Sequence, residues 1–271
     1  MNLLIAGCGY VGASLGQEAA KNGWGVWGLS RHPKSIEGIK PLSADLLNPQ
    51  DLDSLPQVDY AVLSQSPSQD SDNYEKTYLI ATQNLVTALT GQKLKKLIFI
   101  SSTGVYGEQN GAWVDEKTDP CPKDENSRIL LKTENIVLNC GFPVIILRLS
   151  GIYGPGRNRV KSIKEGRVKP VFSETYMNRV HLVDVVSAIR LLLDRGLPGE
   201  IYLASDDEPS TEGEFYACLH QNALINEVPK GSDPSGTERR GKRCSNHKLK
   251  SLGWVLRYPT YREGYRALAS L

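Results

Sequence analysis

The 271-residue sequence predicts an α/β fold in which helices cover both faces of a parallel sheet. Short apolar runs of strand length alternate with segments of helical periodicity along the first 150 residues. With 40% apolar residues, the chain can bury a sizeable core. Its net charge of +2 and its apolar content exclude the composition of a disordered chain.

Each predicted strand is an apolar run bounded by turn residues or charges. The first run ends at Gly7, and the run over 97–101 follows the basic residues Lys93, Lys95 and Lys96. Strands are predicted over residues 2–6, 25–29, 58–64, 97–101, 143–149 and 200–204, with a further strand before Asp45. Apolar residues at helical spacing predict helices over residues 10–22, 70–89, 127–139 and 181–195.

The later part of the chain predicts a smaller lobe. Residues 151–178 are rich in Gly, Pro, Arg and Lys and predict a loop with little regular structure, and residues 224–241 predict another loop. Short helices are expected from Asn246 onwards. The predicted division is a main domain of residues 1–150 with about 179–204, and a small C-terminal substrate lobe of residues 151–178 with 205–271.

Composition argues against several classes of protein. No apolar run reaches the roughly 18 residues of a membrane helix. A charge of +2 is small for a protein held on nucleic acid mainly by charge. The five cysteines are scattered, with no CxxC and no zinc-like spacing to the four histidines, so no disulfide framework and no metal site are predicted. We therefore expect a cytoplasmic chain with reduced thiols.

A glycine pattern opens the chain, because Gly7, Gly9 and Gly12 form GxGxxG between the first strand and the first helix. The first glycine allows a tight turn, the second lets the backbone approach a pyrophosphate, and the third lets helix and strand pack closely. The helix N-terminus supplies N–H groups to the phosphates. The pattern predicts a Rossmann-type, doubly wound domain that binds a dinucleotide; the alternative is a glycine-rich turn without a ligand.

The position expected to contact the adenosine ribose lies about 20 residues further on. NAD sites place Asp or Glu there, whereas residues 29–32 include no acid. Arg31 and Ser30 suit a 2′-phosphate by charge and hydrogen bonding, so we expect NADP, with NAD as the other candidate. Arg31 has the alternative of a solvated loop residue. Asp45 is expected at the adenine end of the cofactor, and its alternative is a turn residue or helix N-cap.

Four segments carry a resemblance to a known family: GCGYVG at 7–12, SSTGVYG at 101–107, LRLSGIYGPGR at 147–157 and NRVHLVDVV at 178–186. In this order and spacing the chain resembles the extended short-chain dehydrogenase/reductase superfamily, in its NAD(P)-dependent epimerase/dehydratase group. GKRCSN at 241–246 and the segment 253–268 are similar to an atypical bacterial subgroup. The resemblance implies hydride transfer and a homodimer formed through two long helices.

The resemblance also implies catalytic roles. Ser102 stands where the family keeps the Ser or Thr that holds a substrate hydroxyl or carbonyl. The family then has YxxxK, in which Tyr is the general acid/base and Lys lowers its pKa and holds the nicotinamide ribose. Lys132 fits the lysine, but the tyrosine position holds Arg128, which cannot act as a general acid at ordinary pH. Both cations on one helix face suit an anionic ligand; the alternative is a solvated face.

Other residues of the matching segments suit an anionic substrate, because arginines clamp a diphosphate by paired hydrogen bonds. Their alternative is a role in structural ion pairs. The predicted substrate contacts are Thr103, Tyr106, Arg128, Arg148, Tyr153, Arg157 and Arg179, and the predicted catalytic residues are Ser102 and Lys132. The predicted cofactor contacts are Gly7, Gly9, Tyr10, Val11, Gly12, Ser30, Arg31, Asp45, Ser64 and Ser101. Replacement of the missing tyrosine by Tyr106, Tyr153 or Tyr176 is not favoured.

Three functions from different classes follow. The first is an NADP(H)-dependent oxidoreductase or epimerase-like enzyme that acts on a nucleotide sugar or another small hydroxylated anion. The second is a non-catalytic NAD(P)-binding sensor or scaffold, because the family tyrosine is missing. The third is an RNA-associated protein, and it rests on the basic segment 239–250. That segment has the alternative of a solvated face, balanced by five acidic residues between 206 and 214.

Overall fold

The computed structural model describes residues 1–67, 74–165, 174–229 and 240–270. Within these residues the strands are β1 Asn2–Ala6, β2 Gly25–Ser30, β3 Lys40–Ser43, β4 Tyr60–Leu63, β5 Lys96–Ser102, β6 Trp113–Val114, β7 Val144–Leu149, β8 Gly151–Tyr153, β9 Thr175–Met177, β10 Arg179–His181, β11 Ile201–Ala204, β12 Ser210–Thr211, β13 Arg240–Gly241 and β14 Arg243–Cys244. The α-helices are α1 Tyr10–Lys21, α2 Ala81–Ala88, α3 Glu125–Leu138, α4 Arg159–Lys164, α5 Leu182–Arg195, α6 Glu212–Gln221, α7 His247–Ser251 and α8 Tyr261–Ala269.

The main sheet has seven strands in the order β11-β7-β5-β4-β1-β2-β3. β1 pairs in parallel with β2 and β4, β2 pairs in parallel with β3, and β4 with β5. The chain builds outwards from β1 to β3 and then returns to the other side of β1 at β4. Because parallel crossovers are right-handed, this reversal places helices on both faces of the sheet. The predicted doubly wound α/β class is confirmed.

Differences from the predicted elements lie mainly in short segments. The predicted helix 70–89 includes residues outside the described ranges, and its described part is a π-helix over Glu75–Ile80 that leads into α2. The loop predicted over 151–178 is wrong for its described part, which contains β8, α4 and β9. β8 pairs with β10 in parallel, and Asn158 caps α4 by accepting a hydrogen bond from the Lys161 amide. Of the predicted loop 224–241, residues 230–239 lie outside the described residues.

The chain divides into two compact units. Unit 1 comprises Met1–Val105, Pro122–Arg148 and Val186–Tyr202, and unit 2 comprises Tyr106–Cys121, Leu149–Val185 and Leu203–Leu271. Unit 2 therefore includes residues 106–121, which the predicted division assigned to the main domain. Long-range contacts decide this assignment, and local sequence patterns do not report them.

Unit 1 is built around the buried strand β1. Helix α1 packs closely against the sheet at Gly16, where a Cβ atom would stand 3.1 Å from Ile39 Cγ1 and 3.1 Å from Ile5 Cδ1. Lys96, at the start of β5, donates from Nζ to three backbone carbonyls in the last turn of α5, at 2.8–3.1 Å. Burial lowers the pKa of Lys96. A cation at this end of a helix satisfies carbonyls that have no partner within the helix.

Unit 2 has an aromatic core. Tyr153, Phe215 and Tyr265 are buried in it, and the rings of Tyr153 and Tyr265 stack with centroids 4.9 Å apart. Helices α6 and α8 both begin with a capping box, which satisfies amides of their first turns. Gly264 of α8 gives the Tyr153 ring its room, because a Cβ atom at 264 would stand 2.7 Å from Tyr153 Cζ.

Candidate functional site

The glycine turn after β1 forms as its spacing predicts. Gly7 has φ +85°, and the backbone of Gln65 lies where its Cβ atom would be. The amides of Gly7 and Cys8 donate to the Leu29 carbonyl at 3.0 and 3.3 Å, and the Gly9 amide donates to the Gly7 carbonyl at 2.8 Å. Only a glycine fits at position 7, because an L side chain would meet both a positive φ and a backbone neighbour.

The N-terminus of α1 is shaped for an anion. Gly9 is its N-cap, and no side chain caps it. The Ala13 amide donates to the Gly9 carbonyl at 2.8 Å, which is the first hydrogen bond of the helix. The amides of Val11 and Gly12 lie before it and have no acceptor within the helix. A Cβ atom at Gly9 would meet nothing within 4 Å, whereas one at Gly12 would stand 2.8 Å from Ile5 Cγ2. Gly9 leaves open space beside the uncapped amides, and Gly12 lets the helix pack closely on β1. This arrangement fits a dinucleotide pyrophosphate.

Two residues predicted to contact the cofactor flank this turn. Ser64 donates from Oγ to the Gly7 carbonyl at 2.8 Å, so its proton supports the turn. Tyr10, the first residue of α1, is half-buried. The structure thus places Ser64 beneath the glycine turn and Tyr10 at the start of the helix.

The adenosine end of the expected site lies where β2 and β3 end. Ser30 and Ser43 are register partners, and Arg31 follows as an exposed residue. Asp45 accepts a hydrogen bond on Oδ1 from the Leu47 amide at 3.0 Å. This bond is the turn role stated as the alternative for Asp45.

Ser102 is the last residue of β5, at the carboxyl edge of the sheet. Its Oγ accepts a hydrogen bond from the Gly104 amide at 3.0 Å. A Cβ atom at Gly104 would stand 3.2 Å from Ser127 Oγ and 3.3 Å from Ser102 Oγ. Gly104 therefore lets the start of α3 approach the end of β5. Ser127 was not among the predicted site residues, because the YxxxK spacing to Lys132 pointed to Arg128 instead.

Arg128 and Lys132 lie on the exposed face of α3. Arg128 forms an ion pair with Glu125 at 3.0 Å, and its Nη2 donates to the Lys123 carbonyl at 3.1 Å. The inward residue at the start of the helix is Ser127, whose Oγ donates to Asp124 Oδ2 at 2.9 Å. Arg128 and Lys132 are thus exposed side chains, and contact of either one with an anionic ligand stays a prediction.

A buried ion pair lies behind β5. Arg148 and Glu134 each have side chains 2% exposed, and Arg148 Nη2 lies 2.7 Å from Glu134 Oε2. Ser101 Oγ donates to the other oxygen of Glu134. The predictions that Arg148 contacts substrate and Ser101 contacts cofactor need correction, because both groups are enclosed in this network. Thr103 is also buried, at 7% exposure.

In unit 2, Arg179 is buried rather than presented to a ligand. Its guanidinium lies over the Phe215 ring, 3.8 Å from the centroid, and Nη1 donates to Ser210 Oγ at 2.9 Å. Burial lowers the pKa of Arg179 and raises that of Asp206, whose amide donates to the Arg179 carbonyl. The substrate contact predicted for Arg179 is corrected to a core position, where the cation stacks on aromatic rings.

The substrate contacts predicted for Tyr106 and Tyr153 need correction, because both side chains are enclosed in the protein. Tyr106 is fully buried, and Tyr153 is 4% exposed. Burial raises the pKa of Tyr153, which makes its hydroxyl a weaker acid. Tyr176 is half-buried, with the Arg243 guanidinium 5.1 Å from its ring centroid. Arg157, by contrast, is exposed.

The described part of the basic segment is engaged within unit 2. Lys242 Nζ donates to the Gly107 carbonyl at 3.0 Å, and Arg243 Nε donates to the Gly111 carbonyl at 2.7 Å. Lys250 forms an ion pair with Asp207 at 2.9 Å. Arg239 lies outside the described residues. These contacts give the cations structural partners, one of them from the acidic segment 206–214.

The described residues were considered for a membrane span and for a metal-binding group of side chains, and they contain neither. No helix in the described ranges is long and apolar enough to span a membrane. Across the same part of the chain, no three His, Cys, Asp or Glu side chains are grouped so that they would hold a metal ion.

Comparison with known proteins connects this geometry to one family. Residues 3–204 match the model of the NAD dependent epimerase/dehydratase family. Protein YeeZ of Escherichia coli K12 is 30% identical over 267 residues, which cover 94% of this chain and 95% of YeeZ. A solved structure from Methylobacillus flagellatus, grouped with the NAD-dependent epimerases/dehydratases, has a TM-score of 0.84 and 31% identity, covering 99% of this chain and 97% of its own.

A further likeness concerns the fold. The UDP-glucuronic acid 4-epimerase of Bacillus cereus, solved with UDP-glucuronic acid and NAD, has a TM-score of 0.84 at 21% identity. The superposition covers 100% of this chain and 98% of the epimerase.

Proposed function

Because this chain belongs to the NAD dependent epimerase/dehydratase family, we propose that it is an NADP(H)-dependent enzyme of the oxidoreductase or epimerase type. It acts by hydride transfer on a nucleotide sugar or another small hydroxylated anion. The Bacillus cereus epimerase of the same fold holds UDP-glucuronic acid and NAD, which supports this class of substrate. Arg157 is exposed in unit 2, and its contact with the anion stays a prediction.

The glycine turn and the start of α1 hold the cofactor in this proposal. The amides of Val11 and Gly12 bind the pyrophosphate, and the open side of Gly9 lets the phosphates approach. A bound nicotinamide would supply or accept the hydride. Exposed Lys132 is the proposed contact of the nicotinamide ribose.

The preference for NADP rests on the end of β2. Residues 29–32 include no carboxylate that would bind both ribose hydroxyls, and Arg31 is exposed where the strand ends. Arg31→Ala is expected to weaken NADPH binding about tenfold or more and to leave NADH binding nearly unchanged, because only NADPH carries the 2′-phosphate. Fluorescence titration with both cofactors measures the ratio. An unchanged ratio would show that Arg31 does not read the phosphate.

The observation that carries the proposed chemistry is the hydrogen bonding of Ser102. Its oxygen accepts from the Gly104 amide, so its proton remains available to a substrate oxygen. A carbonyl that accepts a hydride gains negative charge on oxygen, and a hydroxyl donor at that atom stabilises the charge. Ser102 thus holds and polarises the substrate oxygen.

Ser102→Ala tests this role. Turnover is expected to fall about 100-fold or more, because the donor to the developing oxyanion is lost. NADPH affinity stays within about twofold, because the cofactor contacts lie elsewhere. NADPH oxidation against a panel of carbonyl compounds and nucleotide sugars measures turnover, and Ser102→Thr is the control that keeps a hydroxyl. Equal turnover in the wild type and Ser102→Ala would contradict the assignment.

A non-catalytic cofactor sensor is the second candidate. It rests on the predicted match of Arg128 to the position of the family tyrosine, and Arg128 is paired with Glu125. Tight NADPH binding with no turnover across the same panel would support the sensor and contradict the enzyme.

A further inference from the structure

The side chain of Ser43 joins the ends of β2 and β3, and Ser43 is not among the predicted cofactor contacts. Ser43, the last residue of β3, donates from Oγ to the carbonyl of Arg31 at 3.3 Å. Its register partner is Ser30, and the Ala44 amide donates to the Ser30 carbonyl at 3.3 Å. The backbone of Arg31 is therefore tied to β3, although Arg31 lies beyond the end of β2.

The surroundings of this contact are cationic. Arg31, Lys34 and Lys40 stand against one acid, Glu37, within residues 31–40, and all four are exposed. Lys40 is held with its ammonium 4.6 Å from the centroid of the Trp27 ring. Lys40 begins β3 opposite Trp27, so Arg31 is the cation that the strand register places at the carboxyl ends of β2 and β3.

We infer that Ser43 is a positioning residue for recognition of the adenosine 2′-phosphate, because it holds the backbone of Arg31 where β2 ends. The inference rests on the proposed NADP(H) dependence. A long exposed arginine must lose conformational freedom before it can form paired hydrogen bonds to a phosphate. Anchoring its backbone in advance removes part of that cost. NADH has a hydroxyl at this position, so it gains little from the anchored guanidinium.

Binding of NADPH and NADH by Ser43→Ala, measured by fluorescence titration without turnover, tests the inference. NADPH affinity is expected to fall about three- to tenfold, the range of one hydrogen bond, while NADH affinity changes less than about twofold. Ser43→Thr keeps the hydroxyl and is expected to restore the NADPH affinity. Ser54→Ala removes an exposed hydroxyl elsewhere in unit 1 and is expected to leave both affinities unchanged.

The double variant Arg31→Ala/Ser43→Ala separates positioning from a direct contact. If Ser43 acts through Arg31, its loss has no further effect once the guanidinium is gone. Additive losses, or an equal loss of NADPH and NADH affinity in Ser43→Ala, would overturn the inference. The inference would also be overturned if Ser43→Ala left the ratio of NADPH to NADH affinity unchanged while Arg31→Ala abolished the preference for NADPH. That result would leave the proposed function unaffected. A wild type without NADPH preference would overturn the NADP dependence and the inference together.

Discussion

At the scale of single residues, His181 shows how burial decides the protonation of a side chain. Its ring lies 4.3 Å from the Tyr258 ring and 5.1 Å from the Tyr153 ring, between centroids, and the residue is 3% exposed. Nδ1 accepts a hydrogen bond from the Val183 amide at 3.2 Å, so the neutral form carries its proton on Nε2. Burial lowers the pKa of His181 from 6.5 to about 4.

This pKa predicts a loss of stability in acid. The unfolded chain protonates the imidazole near pH 6.5, whereas the folded chain resists protonation down to about pH 4. The contribution of neutral His181 to the free energy of unfolding is complete above pH 6.5. It is lost as the pH falls towards 4, and the loss is about 2–3 kcal/mol. Buried Asp206, whose pKa is raised by desolvation, acts in the opposite direction, so a variant is needed to isolate His181.

His181→Asn keeps an acceptor near Nδ1 but does not titrate. Urea unfolding between pH 4 and 7 is expected to show a smaller loss of stability in this variant than in the wild type. His220→Asn removes an exposed histidine at the end of α6 and serves as the control. Parallel curves for the wild type and His181→Asn would refute the assignment.

At the level of residues, the sequence predicted the glycine turn correctly but not the burial of two arginines. Gly7, Gly9 and Gly12 were recognisable because their roles depend on the backbone, which the spacing reports. Arg148 and Arg179 were expected to face substrate because they stand in the segments that resemble the family and because arginines clamp a diphosphate by paired hydrogen bonds. Their burial depends on partners distant in sequence, Glu134 for one and the Phe215 ring for the other.

At the scale of elements, α3 is fastened to the sheet by one charged network. Glu134, on the inward face of α3, pairs with Arg148 of β7 and accepts from Ser101 of β5. The Glu134 carboxylate thus joins α3 to β5 and β7, and its partner on β5 is the residue before Ser102. A buried pair of this kind specifies how elements meet, while removal of one partner leaves an uncompensated charge.

Glu134→Ala is therefore expected to lower the free energy of unfolding by about 3–5 kcal/mol. Glu125→Ala, which breaks the exposed pair with Arg128, is the matched control, and it is expected to cost less than about 1 kcal/mol. Denaturant unfolding measures both values. Similar small losses in the two variants would mean that the buried pair does not fasten α3.

Prediction of elements succeeded where a run was long enough to carry a period. The strands of the main sheet other than β3 were visible as apolar runs, because a strand covered on both faces is apolar throughout. β3 is a mostly exposed edge strand, with the sequence KPLS. The two-residue strands β6, β12, β13 and β14 were missed, since two residues show no alternation. Their pairing is set by distant segments, as in the register of Arg243 with Trp113.

At the scale of the whole molecule, strand order determines where ligands bind. The order reverses between β1 and β4, and the glycine turn, Ser64 and Ser102 all follow strands near that reversal. Ligands of doubly wound sheets bind at this point, outside the carboxyl ends of the strands. A glycine pattern after the first strand was therefore enough to predict the turn that forms at this edge of the sheet. The division into units was not predictable in this way, because it depends on contacts between segments far apart in sequence.

The close fit of Gly264 under Tyr153 has a consequence for how this sequence can change over time. A side chain at 264 would collide with the phenol ring, and the helix itself would tolerate such a side chain better than glycine. Replacement of Tyr153 by a smaller residue must therefore come first, and it leaves a cavity in the aromatic core until position 264 fills it. The two sites are open to substitution in one order only, which makes them a coupled pair in any evolutionary path.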